Sequence, residues 1–208
     1  MKKKILVSGF EPFGDVTINP TMGIIEKLNR SHQGNVELHT IILPVVYNEC
    51  ANVLIEEINK VQPDIVISLG VAMGRSAITP ERIGINIQDT VGEGASGDNH
   101  GDRPFDRLIE EDGPDGLFST IPIRDITNEL KKHGIPAQIS NSAGTYICNN
   151  TLYSVLLHVQ INQLSIRVGF IHVPATPGMV LNKPHLPSMD LELQVKGIQT
   201  VIDCLSEK

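Results

Sequence analysis

The chain reads as an α/β protein with a mainly parallel, twisted central sheet covered by helices on both faces. Three observations predict this. Continuous apolar runs at 4–10 and 64–70 are what strands buried on both faces look like. Stretches with apolar residues at helical spacing separate the strand-like runs, and the resulting β-α-β-α-β order implies right-handed crossovers. Of 208 residues, 40% are hydrophobic and 20% charged, enough for one domain, 1–208, with a substantial core.

The first strand, 4–10, runs into a loop through Glu11, Pro12, Phe13, Gly14 and Asp15. Asn19, Pro20 and Thr21 then prepare a helix over 22–28, because proline is tolerated at helix starts and Asn or Thr supplies a cap. Phe10 and Phe13 bracket this strand-end loop. Ligands bind beyond the carboxyl ends of strands in open α/β sheets, so at least one of the two rings is expected to line a pocket. A second strand, Val36–Leu43, ends at Pro44. Val46, Cys50, Leu54, Ile58 and Val61 share one stripe of a helix that stops before Pro63, which assigns Cys50 to the core.

The buried strand at 64–70 opens into a second strand-end loop, 71–82, polar where the first is aromatic. Ile83, Ile85 and Ile87 alternate with Gly84, Asn86 and Gln88, the pattern of a half-buried strand. Glu81 stands at its start beside Arg75 and Arg82. A lone glutamate in that setting is most often a surface carboxylate paired with an arginine. Residues 90–116 are rich in Gly, Asp and Glu without periodicity and read as a long loop or flap. The G-x-G-x-x-G at 92–97 does not open a helix, so it fails the requirement for binding a pyrophosphate.

A helix over 124–133 is closed by Gly134, and 135–140 is strand-like. Small residues then lead through Asn141, Ser142, Ala143, Gly144, Thr145 and Tyr146 to Cys148, ahead of a helical pattern over 151–161. Cys148 therefore sits where a helix is about to begin, and the positive end of a helix favours a thiolate. A buried structural cysteine is the plainer alternative. The last strand, 165–173, carries His172 near its carboxyl end, where a histidine is more often a hydrogen-bonded core residue than a catalyst. The final helix opens at Ser188 and Asp190 and turns Leu191, Val195, Ile198, Ile202 and Leu205 inward, with Cys204 beside that stripe.

A net charge of −7 argues against nucleic acid or an anionic membrane as a partner. The N-terminal lysines and following apolar residues imitate a signal peptide, but Ser8, Gly9 and Glu11 interrupt the run too early, and no window approaches a membrane span. Three widely spaced cysteines form neither a disulfide framework nor a zinc site. Reduced thiols in a cytoplasmic protein fit that pattern, and no cofactor is expected.

Glu81, Cys148 and His172 each begin or end an element at what should be one rim of the sheet. A thiolate that attacks a carbonyl, an imidazole that exchanges its proton and a carboxylate that orients the imidazole would serve a cysteine hydrolase, with backbone N–H groups at the helix start holding the oxyanion. Several separate motifs, in order, resemble the pyroglutamyl peptidase I family along nearly the whole chain. They are Gly9-Phe10-Glu11-Pro12-Phe13-Gly14 with Asn19-Pro20; Pro63-Asp64-Ile65 with Gly74-Arg75; Thr79-Pro80-Glu81-Arg82 with Asn86; Ser142-Ala143-Gly144-Thr145-Tyr146-Ile147-Cys148-Asn149; and Phe170-Ile171-His172-Val173-Pro174.

The resemblance implies an α/β/α sandwich, with Cys148 as nucleophile, His172 as base and Glu81 as third member. It further implies removal of N-terminal pyroglutamate from peptides through a thioester, no metal, a cytoplasmic location and, as in microbial members, a homotetramer. Phe10, Phe13 and Tyr146 become candidate walls for a flat neutral lactam, and the resemblance adds Asn19 and Val71 to the substrate pocket. Val91 stands where family members usually carry arginine. A second reading follows from that departure: a weakly catalytic relative that binds pyroglutamyl or cyclised peptide ends. A nucleoside phosphorylase-like transferase would need a phosphate cradle, which the sequence lacks.

Overall fold

The computed structural model describes residues 2–14, 17–31, 35–91 and 97–207. The readings that touch Met1, Asp15 and 92–96, which include most of the G-x-G-x-x-G, fall outside them. Strand β1 (Lys3–Phe10) is followed by α1 (Pro20–Ser31), β2 (Val36–Leu43), α2 (Glu49–Val61) and β3 (Ile65–Val71). Three short strands come next: β4 (Thr79–Pro80), β5 (Ile83–Ile85) and β6 (Gly116–Phe118). The chain then forms α3 (Ile123–Lys132), α4 (Ile147–Ile161), β7 (Arg167–Val173), a 3-10 turn (Pro177–Val180) and α5 (Leu191–Ser206).

The main sheet has the order β2-β1-β3-β7-β4. Its first four strands are parallel and β4 runs antiparallel to β7. Alternation along each strand sends successive side chains to opposite faces. Ile5, Val7, Ile65, Ile67, Leu69, Ile171 and Val173 pack with residues of α1, α3 and α5. Leu6, Phe10, Val66, Val168 and Phe170 pack with residues of α2 and α4. The expected layered α/β architecture with a mainly parallel sheet is thus observed.

Four local expectations change. The helix after Asn19 begins at Pro20 and is longer than predicted; Asn19 Oδ1 accepts the Thr21 N–H at 3.1 Å, capping it. The half-buried strand ends at Ile85 rather than Ile87, because the Asn149 side chain takes over the main chain there, donating to Ile85 O at 2.8 Å and Ile87 O at 3.0 Å. The stretch 135–140 forms only isolated bridges, Ile78 to Ala137 and Glu81 to Ser140. Pro80 on one side and Pro136 on the other accept there, from Ser140 N–H and Ile78 N–H, but neither has an N–H to donate. Finally, α4 starts at Ile147 rather than 151, so Cys148 is the second residue of the helix.

The described parts of the long loop, 90–91 and 97–115, pair with the segment before it through an isolated bridge between Gln88 and Arg107. Two buried carboxylates pin it. Asp98 accepts the N–H groups of Tyr47 (3.0 Å), His100 and Asp102 (2.9 Å each). Asp89 accepts those of Val91 (2.6 Å) and Asp106 (3.0 Å).

Candidate active site

His172 reaches the site by strand parity. It shares a face of β7 with Val168 and Phe170, the face covered by α4, and its ring lies 4.9 Å from that of Phe170. A one-residue slip would turn it to the opposite face of the sheet. In the neighbouring strands it pairs with Gly70 on one side and Thr79 on the other.

The two-residue strand β4 delivers the carboxylate. Thr79 sits opposite His172, and the Glu81 N–H donates to Phe170 O at 2.9 Å, carrying the pairing one residue past the strand. Two residues beyond Thr79, the Glu81 side chain returns to the same face. It is 0% exposed, so the plainer alternative of a surface carboxylate does not hold, although the pairing with an arginine does. Glu81 Oε1 lies 2.7 Å from His172 Nδ1 and 2.6 Å from Arg75 Nη1. Burial opposes ionisation of this carboxyl. The hydrogen bond and charge of His172, with smaller contributions from Ser140 and Arg75, outweigh that and hold it below the usual carboxylate range.

Cys148 comes from the first turn of α4. Gly144 takes a left-handed φ of 80° in the turn that leads into it, and Tyr146 is the extended residue before the helix. Asparagines are poor helix formers, yet Asn149 and Asn150 follow directly and both are fully buried. Asn149 grips β5 as described, and Asn150 Oδ1 accepts the Asn48 N–H at 2.9 Å. These bonds tie the start of α4 to β5 and to the start of α2, which fixes where the sulfur sits. The first N–H groups of a helix have no intrahelical partner, so donors surround Cys148 where an oxyanion would form.

Gly70 makes room for the sulfur. A Cβ at that position would lie 2.9 Å from Cys148 Sγ and 2.9 Å from two ring carbons of Phe170. Cys148 and His172 line one cavity of about 410 Å³, and all five predicted substrate-binding residues, Phe10, Phe13, Asn19, Val71 and Tyr146, line it with them. Glu81 lies behind His172, away from the cavity wall.

The aromatic side of the cavity is a packed group. Tyr146 stands 6.2 Å from Phe13 and 5.5 Å edge-on from Tyr47. The Tyr146 hydroxyl donates to Gly97 O at 3.0 Å and that of Tyr47 to Asp89 O at 3.2 Å, so the long loop braces this wall from behind. Burial pushes the Tyr146 phenol up to about 12, keeping the wall neutral. The Asn19 amide is engaged within the protein, accepting from Thr21 and donating to Glu11 O at 3.1 Å. It lines the cavity with its polar atoms already committed.

The other sulfurs differ. Burial pushes the Cys50 thiol up to about 12, consistent with its expected core position. Val91, the departure from the family pattern, is 70% exposed. Among the described residues no group of His, Cys, Asp and Glu is arranged to hold a metal ion.

Sequence reasoning named Arg75 as a neighbour of Glu81 and as part of a family motif without giving it a role, and passed over Gly70. Both left signals: a glycine ending a buried apolar strand implies a close approach, and an arginine within a few residues of a carboxylate is a ready partner. A pair of asparagines opening an otherwise apolar helix was a third.

Comparisons with known proteins bear on the family and the fold. The sequence profile of the family described as pyroglutamyl peptidase matches residues 3–208. A "Pyrrolidone-carboxylate peptidase" from Thermoanaerobacter sp. (strain X514) is 45% identical over 205 residues, covering 99% of this chain and 98% of the relative. One from Bacillus licheniformis is 42% identical over 210 residues, covering 100% and 95%. The crystal structure of pyroglutamyl peptidase I from Bacillus amyloliquefaciens superposes with a TM-score of 0.94 at 36% identity, covering 100% of this chain and 98% of that one. With a profile that spans the fold and relatives matched end to end, this chain belongs to the pyroglutamyl peptidase family.

Proposed function

We propose that this protein is a cysteine exopeptidase that hydrolyses the amide bond after an N-terminal pyroglutamyl residue, with Cys148 as nucleophile, His172 as general base and acid, and Glu81 as the group that orients His172. The observation that supports it best is the chain of contacts behind the sulfur. With His172 Nδ1 against Glu81 at 2.7 Å, Nε2 is the nitrogen left for the thiol, and Cys148 and His172 share the cavity.

The reaction follows from these positions. His172 accepts the thiol proton as Cys148 Sγ attacks the scissile carbonyl. The resulting oxyanion is held by N–H groups at the start of α4. The C–N bond breaks, the leaving amine takes the proton from His172, and a thioester remains. Water, deprotonated by His172, then attacks the thioester and releases pyroglutamate and the thiol. The aromatic wall suits a flat lactam without the charged amine that other aminopeptidases grip.

The test is release of a chromogenic amine from pyroglutamyl and prolyl amides. The pyroglutamyl amide should be cleaved and the prolyl amide rejected, since a prolyl residue lacks the lactam carbonyl and carries a charged ring amine that an aromatic wall desolvates. Cys148→Ala should abolish turnover, and a fully active Cys148→Ala protein would end this reading.

A single catalytic unit spanning 1–208, a flap role for 90–116, a cytoplasmic location and a homotetramer complete the proposal. No helix of the described residues is long and apolar enough to cross a membrane. Exposed Phe118 and Ile161 are apolar surface available to an assembly, which light scattering would measure.

A further inference from the structure

We propose that Arg75 is a positioning residue for the reaction, holding the Glu81 carboxylate that orients His172 and supplying the positive charge that balances it. The inference rests on the assignment of Cys148, His172 and Glu81 just made. Arg75 belongs to the loop after β3, yet it lines the same cavity as Cys148 and His172. Its Nη1 is 2.6 Å from Glu81 Oε1 and 2.7 Å from Thr79 Oγ1, while Nη2 is 3.5 Å from Ser142 O. One guanidinium thus joins β4, and the carboxylate just past its end, to the segment that precedes the Cys148 helix.

The oxygen that Arg75 contacts is the one that His172 contacts. A fully buried carboxylate cannot be balanced by solvent, so its orientation and its pull on the imidazole depend on that second partner. The planar guanidinium serves Thr79 and Glu81 through Nη1 and reaches Ser142 O through Nη2 from one fixed geometry, a two-pronged span that a lysine ammonium cannot reproduce.

Among the described residues the ionisable groups that face the His172–Glu81 pair are few. Cys148 comes from α4 and Arg75 from the loop after β3. Tyr146, at the head of α4, lines the cavity. Arg82, next to Glu81 in the chain, turns to Asn141 Oδ1 at 2.7 Å instead. Removing the Arg75 charge makes every nearby proton harder to lose. The thiolate then forms at higher pH, and the imidazolium also persists to higher pH. Both limbs of a bell-shaped profile should therefore move in the alkaline direction, by about one unit for a charge this close.

The experiment uses Arg75→Gln, which keeps hydrogen-bond donors but removes charge, and Arg75→Lys, which keeps charge but loses the fork. Each is checked by circular dichroism and read in two ways. One is the pH dependence of kcat/KM on a pyroglutamyl amide. The other is the pH dependence of Cys148 alkylation by iodoacetamide, followed by mass spectrometry, which needs no substrate. Arg75→Gln should move both profiles up by about one unit, while Arg75→Lys keeps the limbs and lowers kcat about tenfold with KM little changed. Unmoved limbs in Arg75→Gln overturn the proposal even if kcat falls, because loss of structure alone lowers rate without shifting a titration. If Arg75→Gln does not fold, Arg75→Lys decides: wild-type kcat overturns the proposal and the tenfold loss with unmoved limbs supports it. A wild-type protein that cleaves no pyroglutamyl amide, but whose alkylation limb still moves in Arg75→Gln, removes the proposed substrate and leaves the role of Arg75 standing.

Discussion

Gly70→Ala adds one methyl group where β3 passes beneath the sulfur. Its Cβ would sit 2.9 Å from Cys148 Sγ and from two ring carbons of Phe170, about 0.6–1.1 Å inside the ~3.5–4.0 Å optimum for non-bonded contacts. Phe170 is fully buried, and its ring is held between those of Phe10 at 6.2 Å and His172 at 4.9 Å. The sulfur, which borders the cavity, is the freer of the two to give way. Overpacking of this kind costs ~1–3 kcal/mol of stability. A nucleophile displaced by about 1 Å loses on the order of 100-fold in rate, equivalent to about 2.7 kcal/mol of transition-state stabilisation. The assay is steady-state hydrolysis of a pyroglutamyl amide with thermal unfolding measured alongside. The expected signature is a large fall in kcat with a modest change in Tm. Wild-type kcat in a protein of wild-type Tm would refute the idea that Gly70 seats the nucleophile.

Other consequences follow from the same contacts. Glu81→Gln should lower kcat by roughly 100-fold or more, since an amide holds the imidazole less well than a carboxylate. Its stability effect has a defined pH sign. The folded carboxyl is held below its ordinary value of 4.5, so its stabilising contribution is present above that value and fades as pH falls further below it. The Tm gap between wild type and Glu81→Gln should therefore shrink below about pH 4.5, and a gap that widens there would contradict the burial and pairing described. Iodoacetamide near neutral pH should modify Cys148 first and leave Cys50 untouched until the protein unfolds, because burial holds the Cys50 thiol near 12; equal rates at all three cysteines would count against an activated nucleophile. Asp98→Ala should strip three backbone N–H groups of their acceptor, costing about 1–3 kcal/mol or somewhat more. It should also raise KM as the wall at Tyr146 loosens, and an unchanged KM would show that the loop does not brace the pocket.

Much of the layout is legible along the chain because it is written in local periodicity. Alternating and continuous apolar runs marked β1, β2, β3 and β7 to within a residue or two, and the stripe through Cys50, Leu54 and Ile58 marked α2. Short elements escaped. A two-residue strand such as β4 has no period to detect. The segment at 135–140 carries strand composition, but two prolines deprive it of a continuous ladder. The start of α4 was missed because its asparagines look unfavourable in isolation. They become favourable only when β5 and the start of α2 supply partners for their amides.

The residue types needed for a thiol hydrolase, and their places at strand ends and a helix start, are properties of the sequence itself. Side-chain direction in strands and helices repeats over two to four residues and needs no distant partner. Which of those residues meet was decided in three dimensions. Antiparallel β4 lies against β7, so Glu81 and His172, 91 residues apart in the chain, share one hydrogen bond, and Arg75 joins them at the same carboxylate oxygen. Pairing between remote strands depends on loop closure and register across the whole sheet, and no local pattern encodes that.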